Sequence, residues 1–264
     1  MKAARFLLAA LAIVCFVGSA NATVVINEYW ADDAGGDTNE YIELFSPDGM
    51  SLDGLSLIVV DGDTAGNPGS SNFNRVTIQH DLSGSLGAGA FLLIGNGADI
   101  TEDITGFDTP GGGTTSLQNG SQTYALVNTA DIAYCVDAAA GCTSGGPDHV
   151  DADELTPASV AAITAALVDG IGTVDNTAGD DVYFGSPTIG PNGAGFNWDT
   201  ASRVPNGVDT DTAGDWLTQD NFGDAIELGD ANDALATPGA VNVPEPGTLA
   251  LLSLGLVGLI RRRR

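Results

Sequence analysis

The sequence predicts a mainly β body, a sandwich or a barrel, and three observations carry that expectation. Short runs rich in Val, Ile, Leu, Tyr and Phe recur at fairly even spacing. Clusters of Gly, Asn and Asp, the residues that turn a chain back on itself, stand between them. A single stretch has convincing helical periodicity. About 220 residues, Thr23 to Asn242, lie between two terminal segments of different character, enough for one large domain with a proper core.

Thr23 to Trp30 is β-branched and aromatic and reads as the first strand. After the turn cluster Asp32 to Asp37, Asn39 to Phe45 alternates, with Ile42 and Leu44 on one face and Tyr41 and Glu43 on the other. Asp53-Gly54 introduces the run Leu55 to Val60, which stops at Asp61-Gly62-Asp63. Arg75 to Gln79 and Ala90 to Ile94 repeat the pattern across a glycine-rich link, and Tyr124 to Val127 adds a further strand. The rhythm breaks from Asp131 to Asp180, which reads as an insertion packed on the sandwich. It holds Cys135, Cys142 and the helix. Thr156 can cap that helix, Pro157 suits its first position, Val160, Ile163 and Leu167 recur on one face, and Gly170 ends it. Strands resume over Val182 to Gly185 and within Phe196 to Val204, and Pro205 to Asp233 reads as an Asp-rich loop.

Residues 1–22 have the layout of a removable export signal. Lys2 and Arg5 are followed by the apolar core Phe6 to Val17 and the small-residue cleavage site Ala20-Asn21-Ala22. Cys15 leaves with that segment, so the exported chain keeps Cys135 and Cys142, and two cysteines closing a short loop in an exported protein predict a disulfide. Residues 243–264 form a tail: Pro244-Glu245-Pro246-Gly247, an apolar run from Leu249 to Ile260, then Arg261, Arg262, Arg263 and Arg264. This is the pattern of a segment that enters a membrane and halts with its arginines on the cytoplasmic side. Twelve residues span roughly 18 Å as a helix, against a hydrocarbon core of about 30 Å, so the tail reads as a transient handle that a processing enzyme removes.

Of the 8 lysines and arginines only Arg75 and Arg203 lie in the body, against 34 of the 35 acids, a net charge of −32 for Thr23 to Asn242. Such a surface repels phosphate backbones and anionic headgroups, which excludes direct nucleic-acid binding. No zinc spacing, phosphate loop or serine nucleophile elbow occurs.

The tail resembles the PEP-CTERM sorting signal, through Val243-Pro244-Glu245-Pro246-Gly247, the apolar run and the four arginines. That resemblance implies recognition and cutting by an exosortase, a membrane-embedded cysteine transpeptidase of Gram-negative bacteria, often ones that make exopolysaccharide. The body resembles the lamin tail domain, an immunoglobulin-like β-sandwich, at three places. These are Val25-Ile26-Asn27-Glu28 leading to Glu40-Tyr41-Ile42-Glu43-Leu44; Ser202 to Thr210 followed by Asp215-Trp216; and Thr237-Pro238-Gly239-Ala240-Val241-Asn242. Residues 23–242 are thus expected as one such domain, with 131–180 extra to it.

Asp209, Asp211 and Asp215, with Asp220 beyond, partly echo a calcium loop, which needs alternating oxygen ligands and a glycine at the sharp turn. The alternative for these aspartates is bonding to backbone N–H groups in turns. Glu28, Glu40 and Glu43 could be read as carboxylates for acid–base work, but strand alternation is expected to place some of them in solvent. His149, amid Asp148, Asp151, Asp153 and Glu154, reads as part of a solvated acidic loop, with His80 far away in sequence. Arg75 and Arg203 are expected to be held by surrounding carboxylates, and Trp30, Trp198 and Trp216 to pack in the core or at edges. The functional expectation is an exported, non-catalytic component of the cell surface or matrix. Its partners would be an exosortase-type enzyme and, with calcium as bridge, exopolysaccharide. The alternative is a metal-dependent hydrolase, nuclease- or phosphatase-like, built on a carboxylate cluster.

Overall fold

The computed structural model describes residues 24–31, 39–63, 74–96, 102–107, 117, 120–129, 155, 157–175, 178–192, 197–219 and 237–242. Thirteen strands are described: β1 (Val25–Trp30), β2 (Tyr41–Ser46), β3 (Met50–Ser51), β4 (Leu55–Asp61), β5 (Arg75–Asp81), β6 (Ser85–Leu86), β7 (Ala90–Gly95), β8 (Ile104–Thr105), β9 (Gln122–Asn128), β10 (Leu167–Thr173), β11 (Thr188–Ile189), β12 (Thr200–Arg203) and β13 (Trp216–Gln219). One helix, α1 (Pro157–Ala166), precedes β10.

A six-stranded sheet runs β13-β12-β1-β2-β7-β8, a five-stranded sheet runs β11-β10-β9-β4-β5, and β3 pairs with β6. Neighbours are antiparallel except β7 with β8 and β10 with β11. The two large sheets share one apolar cluster. Ile26, Tyr29, Ile42, Leu44 and Ile94 of the first meet Leu57, Val59, Ile78, Tyr124, Leu126 and Ile171 of the second. Tyr29 stacks on Tyr124 across it, ring centroids 4.6 Å apart. The mainly β expectation is therefore met, and both central sheets bury their facing sides, which is where most of the hydrophobic stabilisation resides.

On the other side of the five-stranded sheet, Ile163 of α1 packs with Ile58, Val60, Val76, Ala125 and Val127, and Val160 and Leu167 flank it. The periodicity of Val160 and Ile163 was a sound guide to the buried face of α1. Its end was not. The helix stops at Ala166, and Leu167 to Thr173 cross the sheet as β10, paired with β9. Gly170 does not terminate a helix. A Cβ there would lie 2.5 Å from Ser186 Oγ and 3.3 Å from the Tyr124 carbonyl, so the bare backbone serves close packing between strand and loop. The span 131–180 therefore contributes, in its described part, a strand flanked on both sides within a sheet as well as a helix on its face.

Two other sequence readings change. Residues 182–185 form no strand, because Phe184 and Gly185 both take left-handed φ, 62° and 69°, and reverse the chain. The reversal lets consecutive Tyr183 and Phe184 both cover the outer face of the five-stranded sheet. Within Pro205 to Asp233, expected as loop throughout, Ala213–Asp215 form a 3-10 turn and Trp216–Gln219 the edge strand β13. Thr156, the cysteine pair Cys135 and Cys142, the cleavage residues Ala20 and Ala22, and the tail lie outside the described residues.

Candidate functional site

The outer face of the six-stranded sheet holds the least expected feature, a buried carboxylate pair. In β1 the register with β2 shifts between Ile26 and Glu28, so Asn27 is an extra residue, a bulge. Ile26 and Tyr29 both reach the shared core, three residues apart, while Glu28 lies on the opposite face directly across from Glu43 of β2. Glu28, Glu40 and Glu43 are all 0% exposed, which corrects the expectation that alternation leaves some of them in water. Alternation assumes one wet face, and here both faces are covered.

Part of that cover is a strap, residues 237–242. Glu28 accepts hydrogen bonds from the Thr237 N–H (2.9 Å), the Thr237 hydroxyl (3.2 Å) and the Tyr41 hydroxyl. Glu43 accepts from the Gly239 N–H at 2.6 Å and from Asn27 Nδ2 at 2.8 Å. Asn27 Oδ1 in turn accepts the Gly207 N–H at 3.0 Å. The far end of the strap is held by Asn242, whose N–H donates to Asn206 Oδ1 (2.6 Å) and whose amide donates to the Arg203 carbonyl (3.0 Å). Burial pushes the Glu28 carboxyl up to about 7. Burial, with the charge of Glu28 added, pushes Glu43 up to about 8.

Arg203, at the end of β12, is 1% exposed and lies on the core side of the same sheet. Its guanidinium bonds Asp169 at 2.7 Å, Asp209 at 3.1 Å, the Ile26 carbonyl at 2.8 Å and the Val208 carbonyl at 2.6 Å; Asp215 stands 3.6 Å away. Its carbon sits 4.6 Å over the Trp216 ring. Burial raises the Asp169 carboxyl to about 6, against the pull of Arg203 and of the Ile26 and Gly170 N–H groups. Asp215 is held below the ordinary carboxylate range. Burial acts upward on it, and hydrogen bonds from Thr210 and Thr212 and the charge of Arg203 outweigh that.

Two of the three residues read as calcium ligands, Asp209 and Asp215, lie beside Arg203. Asp209 and Asp215 converge on a guanidinium, while Asp211 is exposed and donates its N–H to Asp209 at 3.2 Å. Arg203 sets a positive charge beside two of the loop's aspartates. The expectation of Arg203 among carboxylates is met, although Asp169, its best-buried partner, carries no local sign of the role. Arg75 is buried, opposite Asp61 in the β4–β5 register. Trp30 and Trp216 are buried, and Trp198 donates its indole N–H to the Gly190 carbonyl at 2.9 Å. His80 is buried with its ring 6.3 Å from Phe107, and His149 lies outside the described residues.

Three half-buried carboxylates do meet elsewhere. Asp63, Asp175 and Asp180 each bring one oxygen within 4.8 Å of the others at one end of the five-stranded sheet. Gly120 makes the room, since a Cβ there would lie 2.5 Å from Asp63 Oδ2. The Ser121 hydroxyl joins the group, accepting the Asp175 N–H at 3.0 Å and bonded to Asp180. The Asp61-Gly62-Asp63 turn was the only sequence sign of this cluster, because its other members lie over a hundred residues away.

Comparison with protein families finds the PEP-CTERM protein-sorting motif at residues 242–264. No curated protein and no solved structure matches the chain. Signals of this kind are processed by exosortase-type enzymes, so the chain carries the mark of an exported protein sorted by that route to the cell envelope. Among the described residues no helix is long and apolar enough to cross a membrane, and the motif beyond Asn242 lies outside them.

Proposed function

We propose that this protein is a non-catalytic component of the cell surface or extracellular matrix, sorted through its tail and left as an acidic β body once the tail is removed. The observation that carries the reading is the join between the two parts: the sorting motif begins at Asn242, the residue hydrogen-bonded to Asn206 and Arg203. The conspicuous side chains of the body are spent on the fold, Arg203 in a carboxylate cage and Glu28 and Glu43 on the strap. A lamin tail domain-like body is supported by the meeting of the three resembling stretches, since Glu28 and Glu43, Arg203 and Asn206, and Thr237 to Asn242 bond one another. Exopolysaccharide is the partner class that suits an exosortase substrate of this charge when divalent cations bridge acid to acid.

The test is fractionation of host cells with and without the processing enzyme, with mass spectrometry of the chain's C-terminus. The expected result is a surface-associated chain lacking Arg261 to Arg264 in the first and a tail-bearing chain retained in the inner membrane in the second. An intact Arg264 on surface-bound protein overturns it.

A metal-dependent hydrolase is the second reading, and the convergence of Asp63, Asp175 and Asp180 is the observation in its favour. Stabilisation by calcium beyond that given by sodium at matched ionic strength would support a cation at that cluster. Equal melting in both salts removes it.

A further inference from the structure

We propose that Glu28 and Glu43 are a proton-operated latch: facing carboxyl groups that hold the Thr237–Gly239 end of the strap on the sheet while at least one proton stays on the pair, and release that end when both ionise. The latch rests on the buried, face-to-face packing of the pair, where ionising both groups sets desolvation and mutual repulsion against the donors of the strap.

Three features make it a latch. The pair sits face to face across β1 and β2, wholly out of water, so two negative charges there cost both desolvation and mutual repulsion. The strap is bonded to both members, Thr237 to Glu28 and Gly239 to Glu43, so lifting it admits water to the very groups that need it. Apolar burial contributes little to holding the strap down. Asn242 is its one buried residue and Val241 is 61% exposed, so hydrogen bonds hold it: to Asn206 and Arg203 at the Asn242 end, and to the carboxyl groups at the Thr237–Gly239 end.

Among the described residues the surroundings offer the pair no compensating cation. Facing Glu28 are the Tyr41 hydroxyl from β2, the Ser202 hydroxyl from β12 and Thr237 from the strap. Facing Glu43 are Asn27 from β1 and Gly239 from the strap, and the charge of Asp103, which precedes β8, adds to the repulsion. Arg203 neighbours Ser202 in the chain but points to the other side of the sheet, into its own cage. A proton on Glu28 is well accommodated, because the Thr237 and Ser202 hydroxyls can turn to accept it.

The sign follows from linkage. Both carboxyl groups bind protons more tightly with the strap down, at about 7 for Glu28 and about 8 for Glu43, than when exposed to water at the ordinary 4.5. The closed state is therefore favoured at acid pH and weakened as pH rises through 7 and 8.

Hydrogen exchange of the full chain, purified in detergent with its tail intact, tests the latch. Raising the pH from about 6 to about 9 should increase strap opening at Thr237 and Gly239 about tenfold or more beyond the intrinsic change in exchange, while β9 stays protected. Glu28→Gln, which keeps a neutral group among the same hydroxyls, should hold the strap closed at the alkaline end. Unchanged strap protection in the native chain overturns the proposal without any variant. If Glu28→Gln loses β9 protection, Glu43→Gln serves in its place, and equal alkaline opening in a folded variant also overturns it. Failure of tail processing in cells with a normal exchange result counts against the sorting reading, not against the latch.

Discussion

Arg203 is where the smallest change has the largest consequence. It closes a cage built from β10, β12 and the 208–215 loop, bonds the carbonyl of β1, and lies over Trp216. Removing it would strand the Asp169 carboxyl, 2% exposed at its side chain, without a counter-charge. Arg203→Ala is expected to cost about 3–5 kcal/mol in urea unfolding, the scale for breaking a buried pair by deleting one partner. A loss under about 1 kcal/mol would show that the cage is a bystander. The sequence made Arg203 conspicuous, because a cation so outnumbered by acids is bound to be surrounded by them. Which acids do so was not readable, since Asp169 comes from a segment that helical periodicity had claimed.

At the scale of elements, β10 shows how close approach replaces propensity. Leu167 to Thr173 contains two glycines, poor strand residues, yet the strand lies between β9 and β11. Gly172 explains the preference: a Cβ there would stand 2.2 to 3.0 Å from the side chain of Val182. Gly172→Ala is expected to destabilise the body by about 1–3 kcal/mol through overpacking. The same substitution in a Val182→Ala background should cost markedly less, and thermal denaturation of the two singles and the double measures the coupling. Additive losses would place the strain elsewhere. The bulge at Asn27 belongs to this scale too. It shifts the phase of β1, so strict alternation read from Val25 onward mispredicts which face Glu28 takes.

For the whole molecule, charge sets the conditions. A body at −32 repels itself, and any salt that screens this repulsion should raise its melting temperature. The expected result for purified Thr23 to Asn242 is a rise with sodium chloride that calcium chloride of equal ionic strength reproduces. Several degrees more with calcium would transfer the reading to a cation at Asp63, Asp175 and Asp180. The folded body also brings its first strand, its twelfth and its final strap together, and Asn242, the first residue of the sorting motif, belongs to that strap.

The amino-acid sequence by itself determined the route and the material: the sorting motif, the extreme acidity, most of the strands and the buried face of the helix. These are local properties, written in composition, order and periods of two or 3.6 residues. Tertiary structure alone decided that Glu28 and Glu43 are buried, that Asp209 and Asp215 face an arginine, and that Asp63 meets Asp175 and Asp180. The strap over Glu28 and the partners of Asp63 lie far along the chain, and even Asp209, 6 residues from Arg203, meets it only because the 208–215 loop folds back onto β12. Whether a carboxylate is wetted, paired or crowded depends on what folds over it, and no local pattern records that.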